Sequence, residues 1–196
     1  LRDDSGEDEC FVRDLARRWV LSLTVGAADV RAFASAKKLN LEEAARGLRY
    51  RFLRRAAVAA GATKIATGHT MTDQAETVLM RLMRGTGLAG LAGITPVLAG
   101  PPCPVVRPLL GIAGPDLRAW LEAGGIPFRE DASNRDLRFL RNRIRAELLP
   151  ELALRYEPQI VGHLARLAGI VREDDALLHG FVRELADEFI LRKGRD

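Results

Sequence analysis

Apolar residues recur at helical spacing through most of this chain, and short apolar runs of strand length interrupt the helical stretches. The spacing predicts helices over 5–18, 40–61, 73–85, 115–124 and 158–191. Shorter runs at 21–25, 64–67 and 104–109 are the candidates for strands. Strands that alternate with helices indicate parallel βαβ units, so we expect an α/β fold with a parallel sheet and flanking helices, followed by a C-terminal helical segment.

The composition narrows the class of protein. A chain of 196 residues with 47% hydrophobic content is long enough to bury one good core. No apolar run is long enough to span a bilayer, so we expect a cytoplasmic protein with no membrane partner. The two cysteines, Cys10 and Cys103, form no CxxC pair, which argues against a metal, iron–sulfur or disulfide framework. The net charge of +4 permits a polyanionic partner.

The stretch from Thr67 to Gly85 predicts a ligand site. A strand-like run ends in Gly-His, and a helix with an acidic start follows, so His69, Asp73 and Glu76 gather at a strand–turn–helix junction. Ligands in open α/β sheets bind beyond the carboxyl ends of strands, where helix N-termini present free amides. The spacing of Asp73 and Glu76 also fits a capping box, which stabilises a helix start by about 1 kcal/mol.

Several motifs resemble those of one enzyme family. GHTxxDQAETxLxRLxRG is followed by GLAGLAGI, then RPLL, then EDASNRDLRFLRNRIRAELLP, all in order between Leu1 and Pro150. Together they resemble the tRNA(Ile)-lysidine synthetases of the ATP-pyrophosphatase (PP-loop) superfamily. The resemblance implies a Rossmann-like, adenine nucleotide alpha hydrolase-like fold. It also implies ATP-dependent coupling of lysine to the wobble cytidine of tRNA(Ile), with ATP and Mg²⁺ as cofactors.

One family motif is missing from the sequence. The nucleotide loop of the superfamily, of SGGxDS type, does not occur, and the chain opens at Leu1 without Met. We therefore expect a piece of the enzyme without its first strand, PP-loop, helix and second strand, which by itself does not turn over ATP. Residues 1–150 then form a partial PP-loop domain, and residues 151–196 form a helical linker or the start of a further domain.

The resemblance assigns roles residue by residue. Asp73, His69 and Arg84 are implied in catalysis, with His69 near the nucleotide and Asp73 a candidate for holding Mg²⁺ or the lysine amine. The family often has two acids where this chain has Thr72 and Asp73. The substrate and tRNA contacts that the resemblance implies lie in an ExxARxxRY-like helix and in the later arginine-rich motif: Glu42, Arg46, Arg49, Asp131, Ser133, Asn134, Arg141, Asn142 and Arg145.

Five arginines between Arg135 and Arg145 predict a basic helix. Ser133 and Asp136 suit its start, and Pro150 suits its end. At helical spacing Arg138, Arg141 and Arg145 share one face, opposite most of the apolar positions, so we expect them to be exposed and to contact phosphates. The alternative is a structural role, with these arginines paired to acids such as Glu130 or Asp131.

Two other functions remain open from the sequence. One is a noncatalytic RNA-binding fragment with the same basic helix. The other is a different PP-loop enzyme, such as a tRNA thiolase or an amide-forming synthetase; the absence of CxxC counts against the 2-thiocytidine branch. Unpaired sheet edges would favour self-association, so a homodimer is among the expected partners, beside tRNA(Ile), lysine and ATP.

Overall fold

The computed structural model describes residues 5–131, 134 and 136–192. The helices are α1 (Ser5–Arg18), α2 (Val30–Lys37), α3 (Leu41–Ala59), α4 (Met71–Met83), α5 (Leu88–Leu91), α6 (Gly114–Ala123), α7 (Leu140–Arg143), α8 (Leu149–Arg155) and α9 (Ile160–Arg192). A π-helical turn, Ile144–Leu148, joins α7 to α8. The strands are β1 (Ile65–Ala66), β2 (Val97–Leu98) and β3 (Val105–Val106).

The chain divides into two compact units. The first contains the residues up to Ala66 together with Leu98–Val106, and the second contains Thr67–Val97 and the chain from Arg107 onward. α8 runs through residue 150, where the sequence predicts a domain boundary, and that boundary stays a prediction. Within the described residues, no helix combines the length and the apolar character that crossing a membrane requires.

The first unit contains a short pair of parallel strands, β1 and β3. β1 pairs with β3 in parallel, with Ile65 opposite Val105, and the strand order is β1–β3–β2. Apolar side chains of α3 cover this pair, in a core of Ala57, Ile65, Cys103 and Val105 flanked by Tyr50 and Leu53. The α/β class is thus confirmed, although each strand spans only two residues.

Local sequence signals explain why helix α3 could be predicted. Asn40 caps its start, because its side chain accepts a hydrogen bond of 2.8 Å from the backbone N–H of Glu43. The chain leaves the helix at Gly61, whose φ of +62° is a conformation that glycine adopts without steric cost. Both ends are therefore set by residues that lie within a few positions of them.

The strand predicted over Leu21–Val25 is wrong. These residues form no regular structure, and Leu21, Leu23 and Val25 are exposed despite their alternating pattern. A strand requires a neighbouring strand to satisfy its backbone N–H and C=O groups, and alternation alone cannot supply that partner. No such neighbour pairs with this segment in the described part of the chain.

The second unit is built around α4 and α9. Its core contains Ala75, Val78 and Leu79 of α4, Ile144 and Leu149 of the later helical run, and Leu164 and Ala168 of α9.

The predicted basic helix begins later than expected, at Leu140, and Pro150 lies in the first turn of α8 rather than after a helix end. Proline has no N–H to donate, and it lies just after the π-helical turn, where the α-helical hydrogen-bond pattern is already interrupted. Ser133 and Arg135 lie outside the described residues.

Two glycines with positive φ provide a test of the packing beside α4. Gly93 has φ +63°, and a Cβ there would lie 2.6 Å from Oε1 of the buried Gln74; Gly85 has φ +71° and open space. We predict that Gly85→Ala lowers the free energy of unfolding by about 1 kcal/mol, through backbone strain alone. Gly93→Ala should lower it by about 2 to 4 kcal/mol, because the Gln74 amide must also move. Urea denaturation measures both, and equal losses would contradict the close contact.

Candidate functional site

The start of α4 is fixed by a capping box one turn earlier than the sequence indicates. Thr70 is the N-cap: its hydroxyl accepts a hydrogen bond of 3.3 Å from the Asp73 N–H, and the Asp73 carboxylate accepts one of 2.8 Å from the Thr70 N–H. The predicted box of Asp73 with Glu76 is therefore wrong. Asp73 occupies the third helical position, where a carboxylate can reach back to the N-cap.

Asp73 also contacts the arginine-rich segment. Its Oδ1 accepts hydrogen bonds from Nη2 of Arg141 at 2.8 Å and from Nη2 of Arg145 at 3.0 Å. Its Oδ2 accepts from both the backbone N–H and the hydroxyl of Thr70, at 2.8 and 2.9 Å. A carboxylate offers about four acceptor positions, so this side chain is fully used within the protein.

Glu76 completes the arrangement from one turn further along α4. Its side chain has no exposed surface, and it accepts from Nε of Arg141 at 2.7 Å and from Nε of Arg145 at 2.5 Å. We refer to Asp73, Glu76, Arg141 and Arg145 as the acid–arginine cluster. Each guanidinium uses Nε and Nη2, so it bridges both acids side-on, which is a strong and geometrically specific form of ion pair.

The electrostatics of the cluster favour the charged forms. Burial by itself would raise the pKa of Asp73, but the hydrogen bonds from Thr70 and the charges of Arg141 and Arg145 outweigh burial and lower it. Burial likewise opposes the charge on Arg145, whereas its bonds to Glu76 and the charges of both acids raise its pKa. The shifts of Asp73 and Arg145 thus both favour the charged form, in a cluster that contains two acids and two arginines.

A magnesium ion does not fit Asp73 in this arrangement. Both carboxylate oxygens already accept two hydrogen bonds each, half of them from cations. A hard cation would have to displace the arginines to obtain an oxygen ligand. In the described part of the chain, no group of three His, Cys, Asp or Glu residues is placed to hold a metal ion. We therefore assign no step to Mg²⁺.

The predicted catalytic residues are not all brought together. His69 lies just before α4, partly buried, with Nδ1 3.0 Å from the Thr67 hydroxyl. Arg84 follows the last residue of α4 and is exposed. At about 1.5 Å rise per residue, Arg84 lies roughly 16 Å along the helix from Asp73. The structure therefore places His69 at the cluster's end of α4 and Arg84 at the opposite end.

The remaining predicted residues take varied positions. Glu42, Arg46 and Arg49 are exposed on α3 in the first unit, and Arg46 lies over the ring of Tyr50 at 5.1 Å. Asn142 is buried and donates a hydrogen bond of 3.0 Å to the Asp136 carbonyl. The Asn134 N–H donates to the Asp131 carbonyl at 3.0 Å. Ser133 is outside the described residues.

Arg141 and Arg145 are less exposed than the sequence predicts. Their side chains are 38% and 36% exposed, because they point towards α4 and pair with its acids. Arg138, predicted on the same face, is 87% exposed and pairs with Asp136 instead. The prediction from helical spacing fails for Arg138, because α7 begins only at Leu140 and Arg138 precedes the helix.

Sequence reasoning missed the role of Glu76 and of Thr72. The sequence places Glu76 at the predicted ligand site and in a candidate capping box, but it does not indicate that Glu76 is a buried partner of the two arginines. Thr72 stands where the family often has an acid, and its hydroxyl accepts a hydrogen bond of 3.0 Å from the N–H of Gly114, the first residue of α6. No local sequence pattern indicates the contact between Thr72 and Gly114, because the two residues are 42 positions apart.

Comparison with known proteins identifies the class to which this architecture belongs. A family model described as a PP-loop domain matches residues 1–152. The chain therefore belongs to the PP-loop family, whose α/β nucleotide alpha-hydrolase fold agrees with the predicted fold class.

Curated relatives refine that assignment. The tRNA(Ile)-lysidine synthase of Geobacter sulfurreducens is 45% identical over 180 residues, which cover 92% of this chain and 38% of the relative. That of Symbiobacterium thermophilum is 45% identical over 181 residues, covering 92% and 37%. That of Dehalococcoides mccartyi is 37% identical over 196 residues, covering 97% and 41%. The predicted resemblance is confirmed, and the chain spans about two fifths of the length of these relatives.

The lowered pKa of Asp73 predicts a specific acid dependence. The Asp73 carboxylate stabilises the fold above its ordinary pKa of 3.8, and this contribution is lost as pH falls through the lower folded-state pKa. We predict that Asp73→Asn lowers the free energy of unfolding at pH 7 by about 2 to 3 kcal/mol, since the arginines are only half-buried. The difference from wild type should shrink progressively below pH 4.

Asp136→Asn is the matched control for this prediction. Asp136 also has a lowered pKa because of hydrogen bonds from Arg138, but Arg138 is well exposed. Surface pairs contribute little to stability, so this variant should change the unfolding curve far less. Urea denaturation between pH 2.5 and 7 compares the two. If Asp73→Asn and Asp136→Asn behave alike, the cluster does not stabilise the protein.

Proposed function

We propose that this chain is part of a cytoplasmic enzyme that ligates lysine to the wobble cytidine of tRNA(Ile), with ATP, to form lysidine. Its PP-loop membership and the names of its curated relatives support this proposal. The observation that carries it is the acid–arginine cluster, which joins the GHTxxDQAET motif to the RNRIR motif through direct ion pairs. Two of the motifs that carry the family resemblance are thus in direct contact.

The proposed reaction has two steps. The oxygen on C2 of the cytidine attacks the α-phosphorus of ATP, and pyrophosphate leaves. The lysine ε-amine then attacks C2, its C–N bond forms, the C2–O bond breaks, and AMP carries the oxygen away. Adenylation converts a poor leaving oxygen into a good one, and binding places the amine beside the activated carbon.

In this proposal the acids of α4 position the two arginines. Each guanidinium holds the acids with Nε and Nη2, which leaves Nη1 outside these contacts on a side chain that is more than one third exposed. These Nη1 groups are suited to donate to phosphate oxygens of tRNA or ATP. Fixing both arginines in advance lowers the conformational entropy lost when phosphate binds.

Asp73 is proposed to act through these arginines rather than by binding the lysine amine or a metal, because all its acceptor positions are occupied. His69 remains a candidate for contacting the nucleotide from the end of α4 where the cluster lies. A role of Arg84 beside them would require a substrate that extends along the whole helix. Glu42, Arg46 and Arg49 remain proposed contacts for tRNA or triphosphate from the first unit.

The ligase activity can be tested in a chimera that has the full length of a curated relative. This chain would replace the matched 180 residues of the Geobacter sulfurreducens relative, and labelled lysine incorporation into a tRNA(Ile) transcript would be measured with ATP. We expect ATP-dependent incorporation. A folded chimera, verified by circular dichroism, that releases pyrophosphate with tRNA but incorporates no lysine would point to another PP-loop activity.

The role of the arginines in tRNA binding gives a separate prediction for the 196-residue chain. If Arg141 contacts a phosphate, Arg141→Ala should lower the slope of log affinity against log salt by about one unit. Arg143→Ala is the matched control, because Arg143 is an exposed arginine on the same helix and takes no part in the cluster. It should leave the slope unchanged.

Binding would be measured by fluorescence anisotropy at a temperature where circular dichroism shows every variant folded. Arg141→Ala should also destabilise the fold by about 2 kcal/mol, because it leaves Glu76 with one partner instead of two. If stability falls and the salt slope does not change, the cluster is structural only. If Arg143→Ala has the larger effect on the slope, the phosphate contacts lie elsewhere on this segment.

A further inference from the structure

A cavity in the second unit contains two arginines that the proposed ligase chemistry does not use. Its volume is about 270 Å³, and its walls include Gln74, Pro96, Arg107, Leu110, Ala165 and Arg172. None of these residues belongs to the acid–arginine cluster. The cavity lies between the segment that follows α5, the RPLL motif and the first half of α9.

Backbone carbonyl groups hold both arginines in place. Nη1 of Arg107 donates to the carbonyl and the hydroxyl of Thr95. Nη2 of Arg172 donates to the carbonyls of Ala92 and Ile94, at 2.8 and 3.1 Å. The side chain of Gln74 fixes the same segment, since its amide both donates to and accepts from the backbone of Ile94.

These contacts orient both guanidinium groups, and carbonyl groups do not neutralise the charge of Arg172. Arg172 forms no ion pair with any acid in the described ranges, and its buried Nε has no hydrogen-bond partner there. Burial lowers the pKa of Arg172, which the neighbouring charge of Glu173 only partly offsets. Burying a cation against neutral carbonyls is unfavourable compared with pairing it to an anion.

The rest of the wall is apolar. Pro96, Leu110 and Ala165 contribute hydrocarbon surface, and the Gln74 amide is already satisfied by Ile94. Such a wall matches an aliphatic body, whereas a bare inorganic anion would leave it without contacts. The planar fork of a guanidinium matches the two oxygens of a carboxylate.

We propose that this cavity binds a small aliphatic carboxylate, with its charged end at Arg172 and its hydrocarbon end against Leu110 and Ala165. The site is independent of the proposed ligase activity, because it shares no residue with the cluster. The occupant neutralises Arg172 and bridges the 92–96 segment to α9, so binding stabilises the folded chain.

Titration of the 196-residue chain with sodium butyrate tests the proposal, at ionic strength held constant with sodium chloride. We expect saturable binding by calorimetry and a rising melting temperature. n-Butylammonium, which has the same hydrocarbon body and the opposite charge, should not bind. Arg172→Gln should weaken butyrate binding by about tenfold or more, the effect of losing a charge-assisted hydrogen bond.

Two further variants separate binding from folding. Arg166→Gln removes an exposed arginine from the same helix and should bind butyrate as the wild type does. Ala165→Leu keeps both arginines and fills the cavity, so it should fold and fail to bind. The proposal is overturned if the wild type shows no saturable binding, if folded Ala165→Leu still binds, or if inorganic phosphate binds as tightly as butyrate.

Discussion

The second unit depends on the burial of one carboxylate. Glu76 has no exposed surface, and an ionised carboxylate in a protein interior is strongly unfavourable unless cations pair with it. Its two partners, Arg141 and Arg145, come from 65 and 69 positions further along the chain. The pairing therefore holds the arginine-bearing helical run against α4, where Ala75, Val78 and Ile144 share one apolar core. The ion pairs of Glu76 set the position of this helical run against α4, and the apolar contacts around them provide the buried surface area.

Features that depend on near neighbours could be predicted from the sequence. α1, α3 and α9 have their predicted extents to within a few residues, and the cap at Asn40 uses a contact over three positions. The strand–turn–helix junction at the start of 67–85 could likewise be predicted, since β1 ends at Ala66 and α4 begins at Met71. The predictions that were wrong concern residues whose partners are distant in the sequence. Leu21–Val25 alternates like a strand but has no strand beside it, and nothing near Arg141 indicates that its acids lie on α4.

The charge of the arginine-rich segment differs from what its sequence indicates. Five arginines within eleven positions look like a polycation, yet Arg141 and Arg145 are balanced by Asp73 and Glu76, and Arg138 by Asp136. An encounter with a phosphate would then depend on which atoms of each guanidinium remain accessible rather than on the total charge. This difference matters for any basic helix that is identified from sequence alone, because a buried acid on another element can neutralise the charge of its arginines.

The π-helical turn between α7 and α8 places a constraint on chain length. The N–H of Leu149 bonds to the carbonyl of Ile144, five residues back, so this turn holds one residue more than an α-helical turn. Arg141 and Arg145 reach the acids of α4 while Ile144 and Leu149 enter the core. Losing one residue here would rotate one side of the run by about 100° relative to the other. During evolution, this segment should accept exchanged side chains far more readily than gained or lost residues.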